Sequence, residues 1–305
     1  MIRSKHNQRS LIGCAVLAFL LLMACAGIPQ PTVVPTVAPI TSPEPTLPAA
    51  SPDSTLPRTQ PGAPLVLFSL EEGETQPLLS APGAGDVLAE LAIGARGISF
   101  RGDVRAVDDM LWMAVEAAGQ EGWLPAERLV EETPASAFCG NEAVDLLVAD
   151  VMAAISLEDG PALSSHVSPT HGLYLRHNMW NTEVWVAPER VAGLFEDTTV
   201  IDWGVADGSG KPILGDFSTI LLPDMRETFT ATNVEVHCNN LEAGTGPTAG
   251  LKELPYGYQN VNTMIVYRPA GPDQNEFDWT SFALGVEMID GQPYLLFIVM
   301  YQYEI

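Results

Sequence analysis

The sequence predicts a multidomain chain, a small all-β barrel followed by an α+β domain whose helices cover one face of a curved antiparallel sheet. Three observations predict it. Eleven prolines crowd residues 26–64, short apolar alternations separated by turn residues fill 65–133, and helical spacing gives way to long β-type runs after 134. The 305 residues carry 14 Lys+Arg against 38 Asp+Glu, a formal net charge of −24. That balance excludes a nucleic-acid binder that tracks phosphates, which needs clustered cations to release counterions. A hydrophobic content of 47% also excludes a wholly disordered chain.

Arg3, Lys5 and Arg9 precede an uncharged run over residues 11–24 that ends in Leu22-Met23-Ala24-Cys25. A positive start and a short apolar centre make a secretory signal, too short to span a bilayer comfortably. The last four residues resemble the lipobox of bacterial lipoproteins. The resemblance implies that residues 1–24 are a signal peptide and that the Cys25 thiol receives diacylglycerol. The protein is then expected to be extracytoplasmic and anchored in the bacterial cell envelope, with an ordinary secretory signal and a free Cys25 as the alternative. Residues 25–64 follow as a lipidated Cys and a Pro/Thr-rich disordered tether, because proline lacks a backbone donor and favours polyproline II over a packed core. So acidic a mature chain repels anionic headgroups, and its attachment to the membrane is expected to rest on the lipid.

Residues 65–133 read as short strands between turns at Pro82-Gly83, Ile93-Gly94, Arg101-Gly102 and Gly119-Gln120. Ala81-Pro82-Gly83, Val87-Leu88-Ala89-Glu90-Leu91 and Gly94-Ala95-Arg96 resemble the first half of a bacterial SH3-type domain. Trp112, Gly122-Trp123-Leu124 and Leu129 are similar to its second half. Where that family has an L-N-V-R strand, this chain has Leu78-Leu79-Ser80. The resemblance implies a barrel that binds cell-wall peptides or other short chains in an aromatic-lined groove. Read without it, Trp112 and Trp123 are core residues of a spacer domain.

Residues 134–305 form the α+β domain. Asn141 caps a helix with apolar positions Val144, Leu147, Val148, Val151 and Ile155, Asp159-Gly160-Pro161 ends it and starts a second, and Pro188 opens another. Strands are expected at 199–203, 234–238, 263–267, 280–288 and 294–303, the last two joined at Asp290-Gly291. This order resembles the cone-shaped fold of nuclear transport factor 2. Asp278-Trp279-Thr280-Ser281, Asp290-Gly291-Gln292-Pro293-Tyr294-Leu295 and Gln302-Tyr303-Glu304-Ile305 resemble the ending of a group of uncharacterised extracytoplasmic bacterial domains. The stretches around His166 and His171, and from Trp203-Gly204 to Lys211-Pro212, match that group's upstream segments more loosely.

The residues nominate no catalytic group, metal or cofactor. Gly208-Ser209-Gly210-Lys211 lacks the first glycine and the Ser/Thr of a phosphate loop. His166, His171 and His177, even with Glu183 or Asp202, match no metal-binding spacing. Cys139 and Cys238 remain as an even pair once Cys14 leaves and Cys25 is lipidated, and a disulfide is expected in an oxidising compartment, two reduced thiols being the alternative. Ligand contacts are expected from Trp112, Trp123, Trp203, Trp279, His171 and His177, with Trp180, Trp185, Tyr256 and Tyr258 adding aromatic surface. The expected role is a non-enzymatic binding module for cell-envelope polymer, peptide, polysaccharide or a small ligand. The alternative is a secreted enzyme in which His171, His177 or Asp202 acts as acid or base in a C-terminal pocket.

Overall fold

A computed structural model describes residues 59–271 and 275–303, which belong to one compact unit, Ala50–Ile305. The expected signal peptide, Cys25 and most of the expected tether lie outside the described residues, as do Glu304 and Ile305.

The first sheet is antiparallel and curled. Its strands are β1 (Pro64–Leu67), β2 (Gln76–Leu79), β3 (Val87–Leu91), β4 (Ile98–Val107), β5 (Met110–Ala117), β6 (Gln120–Pro125) and β7 (Leu129–Glu131), in the order β3-β2-β6-β5-β4-β1-β7. Arg101-Gly102 does not separate two strands as expected. It lies inside β4, where the register against β5 shifts between Phe100 and Val104 and bends the strand. The turn is made instead by Asp108-Asp109, both at positive φ.

Gly122 is required by close packing and not by backbone conformation. Its φ is not positive; a Cβ there would stand 2.7 Å from Leu78 Cγ and 2.8 Å from the Leu79 carbonyl of β2. Gly122→Val is therefore expected to cost about 1–3 kcal/mol through overpacking. Glu121→Ala, which loses only an exposed ion pair with Arg101, should cost less than about 1 kcal/mol. Equal melting temperatures for the two full-length variants would contradict this.

The second sheet follows α1 (Ala135–Phe138), α2 (Glu142–Leu157) and α3 (Gly160–His166). Asn141 Oδ1 accepts from Ala143 N and Asp159 Oδ1 from Ala162 N, so both helix starts are capped as the sequence indicates. Next come β8 (Leu173–Arg176), β9 (Val184–Val186), a 3-10 turn at Pro188–Gly193, the ribbon β10 (Ile201–Val205) and β11 (Pro212–Gly215), then α4 (Phe217–Ile220) and α5 (Leu222–Phe229). The chain ends in β12 (Glu235–Cys238), β13 (Asn262–Arg268), β14 (Thr280–Ile289) and β15 (Gln292–Gln302). The large sheet has the order β12-β13-β14-β15-β8-β9 and is mixed rather than purely antiparallel, because β8 joins β15 in parallel. The expected strand at 199–203 is present, but among the described residues it pairs with β11 in a separate two-stranded ribbon. Asp290 and Gly291 close the β14–β15 hairpin.

Both faces of this sheet are covered, as its alternation shows. Met264, Val266, Phe282, Leu284 and Ile298 join the helices in one core cluster. Ile265, Ala283, Phe297, Val299 and Tyr301 point the other way, into a cluster completed by Val66, Phe68 and Val130 of the first sheet. Strand β1 thus serves two cores, since Leu65 and Leu67 fill the curled sheet while Val66 and Phe68 pack on its neighbour. Burying each such side chain contributes about 1.5–3 kcal/mol, which holds the two sheets together.

The Cys139–Cys238 disulfide is formed, with Cα atoms 5.7 Å apart. The pairing is the one the cysteine count indicates, and it ties the end of α1, just ahead of α2, to the end of strand β12.

Candidate functional site

The seam between the two sheets is built from local geometry outward. In the loop after α3, Ser168 N donates to Leu295 O of β15, and Ser168 Oγ accepts from the amides of Thr170 and His171. This fixed turn aims the His171 ring into the seam. Its Nδ1 lies 2.9 Å from Glu287 Oε1 of β14, and its Nε2 lies 3.3 Å from the Ala126 carbonyl just after β6. Both side chains are 3% exposed. Burial alone would depress the imidazole pKa. The Glu287 charge, its hydrogen bond and the backbone acceptors outweigh that and leave the pKa raised. Both ring nitrogens are engaged, so His171 acts as a polar rivet between the lobes.

Beside the rivet opens a cleft of about 310 Å³. Glu71, Glu74, Glu127 and Arg128 line it from the first lobe, and Tyr174, Glu183 and Trp185 from the second. Trp185 donates its indole N–H to the His171 carbonyl at 2.7 Å, yet the residue is 55% exposed, so its ring forms a lip. Glu183 is the anchored carboxylate. It accepts from Arg176 at 3.1 Å, from Ser69 Oγ at 3.2 Å and from the Tyr258 hydroxyl. Tyr258 is fully buried and stacked between Phe68 and Phe297, and burial followed by the Glu183 charge drives its pKa well above 10. Glu71 and Glu127 are exposed at the rim, where the field is negative. No protein-family model, curated protein or solved structure matches the chain.

The expected ligand-binding residues are dispersed. Trp203 is fully buried and donates to the Gly215 carbonyl, and Trp279 is 2% exposed and donates to Thr248 Oγ1, so both rings belong to the interior. Trp112 and Trp123 share the outer face of the curled sheet, since Trp112 pairs with Arg105, Trp123 with Ala114, and partners point the same way. Trp123 carries the Arg105 guanidinium over its ring at 4.8 Å, while Trp112 is 8% exposed. His177 lines a separate cavity of about 240 Å³. His166 faces Asp150 at 3.8 Å, and Asp202 caps its own strand through Gly204 N. Among the described residues no group of three or more His, Cys, Asp or Glu is placed to hold a metal ion.

Sequence reasoning considered Glu183 only as a metal partner, and it missed Glu71, Glu127 and Glu287. They come from segments far apart in sequence and meet only because β1 and β7 pack on the second sheet. Trp185 was visible as aromatic supply, but nothing in its spacing marked it as exposed.

Proposed function

We propose that the protein is a membrane-anchored extracytoplasmic lipoprotein that works as a non-enzymatic binding module. On this reading Cys25 carries the lipid and the proline-rich segment holds the folded part away from the membrane. The resemblances of residues 65–133 to a bacterial SH3-type barrel, and of 134–305 to a cone-shaped α+β domain, support this reading. Barrels of the SH3 type present an aromatic-lined surface to cell-wall peptide, whereas cone-shaped scaffolds host both binding and catalysis.

The observation that carries the proposal is the cleft between the lobes. It combines an exposed indole, rim carboxylates and a floor locked by the Glu183–Arg176–Tyr258 network. Rim carboxylates attract an ammonium group, and an aromatic face binds one by cation–π contact. The ligand is therefore an amine-bearing segment of envelope peptide. The His171–Glu287 pair supports binding over acid–base chemistry, because both ring nitrogens of His171 are held in hydrogen bonds to Glu287 and the Ala126 carbonyl.

Two experiments test this. Fatty-acid labelling of cells expressing the wild type should mark the protein, and Cys25→Ala should abolish the label and leave the precursor unprocessed; continued labelling of the variant would refute the anchor. Titration of the full mature chain with a wall stem peptide bearing a free diamino-acid side chain should show saturable, salt-weakened binding. The same peptide acetylated on that amine should bind at least about tenfold more weakly. Equal binding of the two peptides would refute cation recognition.

A further inference from the structure

The cavity that contains His177 is distinct from the cleft between the lobes. It lies where three pieces of the second lobe meet: the loop after β8, the turn between β10 and β11, and the end of β15. Its walls are held before any ligand arrives. Asn178 and Asn181 are 3% and 4% exposed, with Asn178 Oδ1 accepting from Met179 N and Asn181 Oδ1 from Val205 N. Gly204, at φ +101°, allows this approach, because a Cβ there would stand 2.8 Å from Asn181 Oδ1. The ribbon above is fixed at its base by buried Trp203 and closed at its tip by the Ala206–Lys211 and Gly210–Ala206 backbone bonds.

The chemistry of the lining is selective. His177 Nδ1 is buried without a hydrogen-bond partner among the described residues. Burial also lowers the imidazole pKa, keeping the ring neutral. Gln302 adds an amide and Asp207 a carboxylate, while Val205, Ile213 and Tyr303 supply apolar and aromatic surface. Among the described residues no lysine or arginine lines the cavity, which disfavours phosphates and carboxylates.

We infer that this cavity binds a small uncharged polyhydroxy compound, of the size and chemistry of a single sugar ring. Such a molecule presents hydroxyls that pair with the Asp207 carboxylate, the His177 imidazole and the Gln302 amide that line the cavity, and C–H faces that pack on apolar side chains and the Tyr303 ring. A volume of about 240 Å³ falls just below the roughly 300–1,000 Å³ of sites for drug-sized ligands, so one ring fits better than two.

The test uses the full mature chain with glucose, N-acetylglucosamine and myo-inositol as probes, following the ring resonances of His177 by NMR. At least one probe should shift them saturably. Asp207→Asn should weaken that binding about tenfold or more, and Gln302→Ala should weaken it independently, with both variants checked for a native fold by their NMR spectra. No saturable shift with any of the three would overturn the inference, as would a stronger response to inorganic phosphate or tetramethylammonium. The stem-peptide titration reads the other cleft, so failure of either site leaves the other standing.

Discussion

Removing the Glu287 carboxylate is expected to destabilise the folded chain by about 3–5 kcal/mol, because Glu287→Ala leaves the buried His171 without its counter-charge. Glu287→Gln keeps the shape and deletes the charge, and its cost should depend on pH. The folded pKa of His171 is raised, so its contribution is full below the unfolded value of about 6.5 and is lost as pH rises through the folded value. Glu131 acts in the same direction. Its pKa is raised by burial, then by Asp290 and Glu287, so removing Glu287 relieves a repulsion felt only once Glu131 ionises. Urea denaturation should show the gap between wild type and Glu287→Gln widest at mildly acidic pH and closing toward alkaline pH. A gap that is flat or widens with pH would contradict the rivet.

The rivet also shows where sequence reading stops. The long strands were legible because β13, β14 and β15 are apolar runs bounded by a two-residue Asp-Gly turn, and α2 because its cap and its apolar spacing agree. The disulfide followed from counting cysteines and assigning a compartment. Strand β8 was missed because Leu173–Arg176 is only four residues long and takes its place by parallel pairing with a strand more than a hundred residues later. The packing of the two lobes does have a signal in the sequence. Leu65-Val66-Leu67-Phe68 is continuously apolar, and a strand without polar alternation is one buried on both faces. The tryptophans misled for a related reason, since residue type alone does not separate the buried rings of Trp203 and Trp279 from the exposed ring of Trp185.

Losing the disulfide should cost about as much as losing the rivet. Cys139 and Cys238 are 99 residues apart, and closing a loop of that length restricts the unfolded chain by about 4–5 kcal/mol in the chain-entropy model. The bond also pins β12, which among the described residues pairs on one side, with β13. The Cys139→Ser, Cys238→Ser double variant should therefore unfold at markedly lower urea than the oxidised wild type, and reductant should move the wild type to the variant's midpoint. Coincident midpoints in oxidising buffer would show that the bridge adds nothing to stability.

The cleft as the recognition surface is tested most directly by calorimetric titration of the amine-bearing stem peptide into wild type, Trp185→Ala, Glu127→Gln and Trp123→Ala. Trp185 is the lip of the cleft and Glu127 part of its acidic rim, whereas Trp123 lies on the outer face of the first sheet. The expected result is a loss of about tenfold or more in affinity for Trp185→Ala, a smaller loss for Glu127→Gln, and near-native binding for Trp123→Ala. Full affinity in Trp185→Ala together with loss in Trp123→Ala would place recognition on the outer face and contradict the account.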